Sequence, residues 1–169
     1  MRHEGFCRRE LRLKTEDWRL ITEYYTLMPN KTLQVEKIVD VRFSEVDSMG
    51  IVWHGNYVLY FEDARELFGK TYQLEYMHMY EMGFFAPLVE LKINYKKAVK
   101  YEDRIKVKCT YRETDAAKII FDYEIRDAET DEIMVTGHSV QVFLDLQQNL
   151  IWQVPEFYKE WKRINGLEA

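Results

Sequence analysis

No stretch of this chain approaches the ~20 consecutive apolar residues that a membrane-crossing helix needs, so no membrane span is predicted. Cysteine is scarce: Cys7 and Cys109, far apart, are the two in 169 residues. That excludes a disulfide framework, and no His/Cys spacing suggests a metal site. Cys109, on an apolar strand face, reads as a buried free thiol. Positive charge is not in excess. The formal net charge of -5 argues against non-specific nucleic-acid binding. The first residues are too charged for the apolar core of a signal peptide, and a cytoplasmic protein is expected. Internal repeats and low-complexity stretches are also lacking.

What is present suits a folded domain. The chain is 47% hydrophobic and 31% charged, with aromatics rich at 15%, enough for a packed core and an interface or apolar pocket. Residues 32–169 are expected to form one domain. Residues 1–31 are expected to be an appendage outside its core, with Leu11, Trp18, Ile21 and Tyr25 able to share one helix face. A start at Met28, leaving residues 1–27 as non-native sequence, is the sharper alternative.

Strand periodicity recurs along the domain. Val39, Val41 and Phe43 alternate with Asp40 and Arg42, predicting a first strand over 33–43. Val89, Leu91, Ile93 and Tyr95 alternate with polar residues, as do Ile105, Val107, Cys109 and Tyr111, then Phe121, Tyr123 and Ile125. A last strand over 133–144 alternates less cleanly, with Val140, Val142 and Leu144 on one face. Tyr57, Tyr60, Phe61, Ala64, Leu67 and Phe68 instead recur at helical spacing, predicting a helix over 56–71. Further helix is expected over 76–82, ended by Gly83, and after Pro155. Clean alternation means an antiparallel sheet with one buried face, and the long helix is the element large enough to cover it. The fold class is α+β: a curved antiparallel sheet of about five strands around one long helix.

Between the first strand and that helix lies Asp47-Ser48-Met49-Gly50-Ile51-Val52-Trp53-His54-Gly55-Asn56-Tyr57. It is a polar, glycine-punctuated turn carrying an acid and a histidine. A helix start offers backbone N–H groups that lack partners within the helix, suited to an anion or to a carbonyl oxygen becoming one. Asp47 stands just upstream, where it can attack a carbonyl or activate water. An equally physical role for such an aspartate is to cap its own turn. Gly50 and Gly55 are expected to allow backbone geometry that a Cβ would obstruct. Asn56 is expected to cap the helix or bond the loop.

The pattern Asp-x-x-Gly-Ile-Val-Trp-His-x-Asn-Tyr over 47–57, followed by Tyr60-Phe61-Glu62-x-Ala64-Arg65, resembles the signature of the 4-hydroxybenzoyl-CoA thioesterase family of hot-dog-fold enzymes. The resemblance covers roughly residues 33–161. It implies hydrolysis of an acyl-CoA thioester to a free acid and CoA. By that resemblance Asp47 serves as nucleophile or general base, and a backbone N–H at His54 polarises the carbonyl. The His54 side chain can orient substrate or water, or simply pack. Gly50, Val52, Trp53, Gly55, Asn56 and Tyr57 are the matched positions expected to shape the substrate site. Lys96 and Lys97, with Lys100, form a basic run suited to CoA phosphates or to open solvent. Here the chain departs from its relatives, which often have proline at the position of Ala98 and glycine at that of Glu102. Glu62 is a second carboxylate to weigh, more in keeping with an ion pair. Met77, Met79 and Met82 suit an acyl pocket or plain core filling.

Cofactors are expected to be none beyond CoA as part of the substrate, and the carrier is CoA or acyl-carrier protein. Hot-dog subunits usually pair edge to edge, which implies a homodimer or homotetramer. Two alternatives share the fold: a hydroxyacyl-thioester dehydratase or hydratase, and a non-catalytic acyl-CoA-binding domain.

Overall fold

Five strands hydrogen-bonded in the order β1-β4-β5-β6-β3, every neighbouring pair antiparallel, form the main sheet in a computed structural model that describes residues 32–167. They are β1 (Gln34–Asp40), β3 (Leu88–Tyr95), β4 (Arg104–Arg112), β5 (Lys118–Asp127) and β6 (Ile133–Val142). Two short strands, β2 (Phe84–Phe85) and β7 (Leu144–Asp145), pair separately. The helices are α1 (Asn56–Tyr72), α2 (Tyr76–Glu81) and α3 (Glu156–Ile164). The expected appendage over 1–31, with Cys7 and the Met28 start, lies outside the described residues.

The alternation in β4 and β5 marks the buried face directly. Ile105, Val107, Cys109 and Tyr111 on β4, and Ile119, Phe121, Tyr123 and Ile125 on β5, are all buried. Burial pushes the Cys109 thiol far above its ordinary range, as expected of an inert core cysteine. The helix α1 lays Tyr57, Tyr60, Phe61, Ala64 and Phe68 onto this face. The Phe61 ring stacks on Tyr123 at 4.4 Å, and Phe68 meets Phe121 edge-on at 4.9 Å.

On β6 the expected row Val140, Val142 and Leu144 is not the one turned to the helix. Tyr123 pairs with Gly137 and Phe121 with Ser139, so the inward row is Val135, Gly137, Ser139 and Gln141, all buried. The reason is room. A Cβ built on Gly137 would stand 2.4 Å from the Phe61 ring, so the strand carries glycine where the helix brings that ring. Leu144 belongs to β7 rather than to this strand.

The first strand also ends earlier than predicted. Beyond Asp40 the chain tightens into a 3₁₀ turn, Phe43–Glu45, and Phe43 is exposed. The Arg42 N–H bonds the Glu45 carboxylate at 2.8 Å instead of a strand neighbour. Nor does α1 cover the sheet alone. On α3, the Trp161 indole donates to Tyr72 O at 2.7 Å, and the Tyr158 and Tyr111 hydroxyls meet at 2.7 Å. These large side chains close the end of the core beyond the last turn of α1.

Candidate active site

The turn after the 3₁₀ segment is a tight hairpin. Val46 pairs with Val52, the Asp47 N–H donates to Ile51 O at 2.9 Å, and the Gly50 N–H donates to Asp47 O at 2.9 Å. Gly50 closes it at φ 71, the left-handed region where a Cβ is strained. At Gly55 the neighbour is a side chain that would have to turn aside. Its φ is -70, but a Cβ there would fall 2.0 Å from the Trp53 ring.

Asp47 is half-buried at the start of this hairpin. Its Oδ1 accepts the Met49 N–H at 2.8 Å, the turn-capping role that aspartate often takes. Among the described residues Oδ2 accepts nothing. The second arm is fixed by the Val52 N–H on Val99 O at 2.8 Å and the Trp53 N–H on Glu45 O at 2.9 Å. Asn56 does not cap α1. Its Nδ2 donates to Glu45 O at 2.7 Å, stitching the helix start to the 3₁₀ turn, while Gly55 is the capping residue.

The arrangement leaves donors at the mouth of α1. Among the described residues, no acceptor takes the N–H of His54 or Gly55, whereas the Asn56 N–H bonds Trp53 O at 2.9 Å. The His54 carbonyl accepts the Tyr95 hydroxyl at 3.1 Å, and Tyr57, buried, packs edge-on against Tyr95 at 5.1 Å. The His54 ring is exposed and lies 4.7 Å from the half-exposed Trp53 ring. Chemically, a half-buried carboxylate and free amides at a helix start can supply a base or nucleophile and oxyanion stabilisation.

Three features escaped sequence reasoning. Glu45 is the carboxylate that organises it: 5% exposed, it accepts the Arg42 backbone and guanidinium and, at 2.9 Å, the Tyr60 hydroxyl. Burial alone would raise its pKa. The bonds from Arg42 and Tyr60 outweigh that and hold it below the usual carboxylate range. The only signal in the sequence was the Arg42–Glu45 spacing of three. Tyr95, on a neighbouring strand, reaches the helix mouth through a pairing that no local pattern encodes. The third feature is Gln141, whose inward side chain was hidden by the irregular alternation of β6.

The predicted basic run divides. Lys97 pairs with Glu132, while Lys96 is exposed; the backbone N–H groups of both donate to Met134 O at 2.9 Å. The turn that follows holds Glu102 at φ 68, in the left-handed region. Glu62 is engaged with Arg65, as its motif context implied. Met77 and Met79 line a cavity of about 360 Å³ along α1, together with Phe68, Leu74, Ile119 and Phe121; Met82 lines a second cavity beside α3. Among the described residues, no three His, Cys, Asp or Glu side chains gather to hold a metal ion, and no helix is long and apolar enough to cross a membrane.

A Bacillus subtilis protein provisionally named as an acyl-CoA thioesterase is 27% identical over 126 residues, 75% of this chain and 91% of that protein. The DHNA-CoA thioesterase of Staphylococcus aureus superposes with a TM-score of 0.69 at 26% identity, covering 79% of this chain and 92% of that one. A 1,4-dihydroxy-2-naphthoyl-CoA thioesterase of Synechocystis gives 0.67 at 21% identity, covering 78% and 95%, a likeness that shows the fold alone. These neighbours share the hot-dog arrangement of a sheet laid against a long helix. The family model of the thioesterase-like superfamily matches residues 41–162, a span that takes in the hairpin, α1 and the main sheet from β3 onward, and the chain belongs to that superfamily.

Proposed function

We propose that this protein hydrolyses acyl-CoA thioesters to a free carboxylic acid and CoA. The observation that carries the proposal is the pair of free N–H groups at His54 and Gly55, on the same short hairpin arm that leads back to Asp47. Sulfur donates weakly into a thioester carbonyl, so the carbon is electrophilic and the thiolate leaves readily. What remains to be supplied is stabilisation of the oxyanion and a carboxylate that attacks or deprotonates water. The helix-mouth amides serve the first need. Asp47 serves the second through Oδ2, while Oδ1 stays tied to Met49. The exposed His54 ring leaves its backbone as the working part of that residue. The finer resemblance to the 4-hydroxybenzoyl-CoA thioesterases supports the same assignment.

The test is thiol release from a panel of acyl-CoAs. Asp47→Asn and Asp47→Ala should lower kcat by about 10²-fold or more while the circular dichroism stays that of the wild type. Full turnover by both variants would refute the role of Asp47. Water addition across a double bond instead of thiol release would mark a hydratase, and binding without turnover a non-catalytic domain.

A further inference from the structure

The peptide joining His54 to Gly55 carries one of the two free N–H groups at the mouth of α1, and its neighbours are pinned on both sides. The Trp53 N–H and the Asn56 Nδ2 both donate to Glu45 O, at 2.9 and 2.7 Å. The peptide between them is held differently. The first N–H groups of α1 pass over the His54 carbonyl: that of Asn56 bonds Trp53 O, and that of Val58 bonds Gly55 O. Among the described residues, the hydrogen bond that the His54 carbonyl accepts comes from the Tyr95 hydroxyl, at 3.1 Å. The exposed His54 ring gives the segment no anchor in the core.

Glycine makes that bond matter. A residue without Cβ is permissive in φ, so nothing intrinsic to Gly55 sets the tilt of the peptide plane. The peptide unit itself is rigid, with its C=O and N–H in one plane and pointing opposite ways. Whatever holds the His54 oxygen therefore aims the Gly55 N–H. Tyr95 is built to hold it. Its backbone is fixed in β3, opposite Val135 of β6. Its ring meets the Tyr57 ring edge-on at 5.1 Å. Tyr57 is buried and stands edge-on against Tyr60 at 6.0 Å, and the Tyr60 hydroxyl bonds the Glu45 carboxylate at 2.9 Å. The brace runs back to the same Glu45 that anchors Trp53 and Asn56.

We infer that Tyr95 is a positioning residue for thioester hydrolysis: its hydroxyl, by holding the His54 carbonyl, keeps the Gly55 N–H aimed out of the helix mouth toward the thioester oxygen. The inference rests on the thioester-hydrolase assignment and adds a residue to its machinery. Donors fixed in advance stabilise a transition state because they need not turn as charge develops. Loss of the hydroxyl should therefore be felt in turnover and not in substrate affinity.

The experiment is Tyr95→Phe, which keeps the ring against Tyr57 and removes the hydroxyl. With the acyl-CoA that the wild type cleaves fastest, kcat should fall about tenfold, short of the roughly 10²–10³-fold that deleting an oxyanion donor costs. KM should stay within about twofold. The second readout is the order parameter of the Gly55 amide, from nitrogen-15 relaxation of deuterated protein. It should be about 0.85 in the wild type, as in rigid backbone, and fall toward about 0.6 in the variant. Wild-type kcat in the variant, or a Gly55 amide equally ordered in both proteins, would overturn the inference and leave the hydrolase assignment standing. A raised KM with kcat intact would overturn it too, by making Tyr95 a substrate contact. Should the wild type release no thiol from any acyl-CoA, the hydrolase assignment fails on its own. The Gly55 amide then still decides whether Tyr95 holds the peptide: loss of order in the variant supports it, and unchanged order overturns it.

Discussion

Glu45 shows how much one side chain can organise. It is a buried carboxylate whose partners come from its own turn and from α1, and its carbonyl receives Trp53 and Asn56. Replacing it by glutamine keeps the shape but loses the charge and part of the bonding. Glu45→Gln should cost about 2 kcal/mol at pH 7, measured by chemical denaturation. Its folded pKa is depressed, so the stabilisation is fully present above the unfolded value of ~4.3 and is lost as pH falls through the folded value. The gap between wild type and variant should therefore narrow below about pH 4; a gap constant down to pH 3 would contradict the assignment. Asp47 was legible in the sequence because a whole motif surrounds it. Glu45 was not, because its importance comes from Tyr60, fifteen residues away on a helix face that periodicity marks only as apolar.

At the scale of elements, legibility followed the chemistry of the buried face. In β4 and β5 that face is apolar, and alternation displays it. In β6 the same face carries Gly137 against the Phe61 ring, Ser139 bonded to the Tyr123 hydroxyl, and Gln141, which donates to Ala86 O. Strand and helix are thus fitted to one another, small against large, and a one-dimensional pattern sees only half of the pair. Gly137→Ala should destabilise the fold by roughly 1–3 kcal/mol through overpacking. Adding Phe61→Leu should recover part of the loss, since the two sites share one contact. Strict additivity in denaturant melts would show that the glycine is needed for another reason. The boundaries of β1 escaped in a comparable way: Phe43 continues the alternation, but the carboxylate of Glu45 captures the backbone of Arg42 first.

At the largest scale, the main sheet has two edges without a partner strand among the described residues, β1 and β3. On β3, Leu88, Val89 and Tyr95 are exposed, and an unpaired strand carrying such side chains is a template for another chain. The expected outcome is a homodimer, or a tetramer built from dimers, joined along β3. Light scattering at working concentration should give at least twice the 20.5 kDa chain mass; a monomer would contradict it. Nothing in the composition revealed that β3 would lie at an edge. That follows from β3 returning beside β6 rather than beside β4, a matter of topology.

The hydroxyl of Tyr95 lies at the end of that same open edge. The carbonyl it touches, that of His54, belongs to the peptide unit whose other pole is the N–H of Gly55. Drawing electron density toward the oxygen leaves the nitrogen's proton more acidic, because bonds in series polarise one another. The rim of the sheet is thereby coupled, through one tyrosine, to the polarity of the peptide group at the helix mouth.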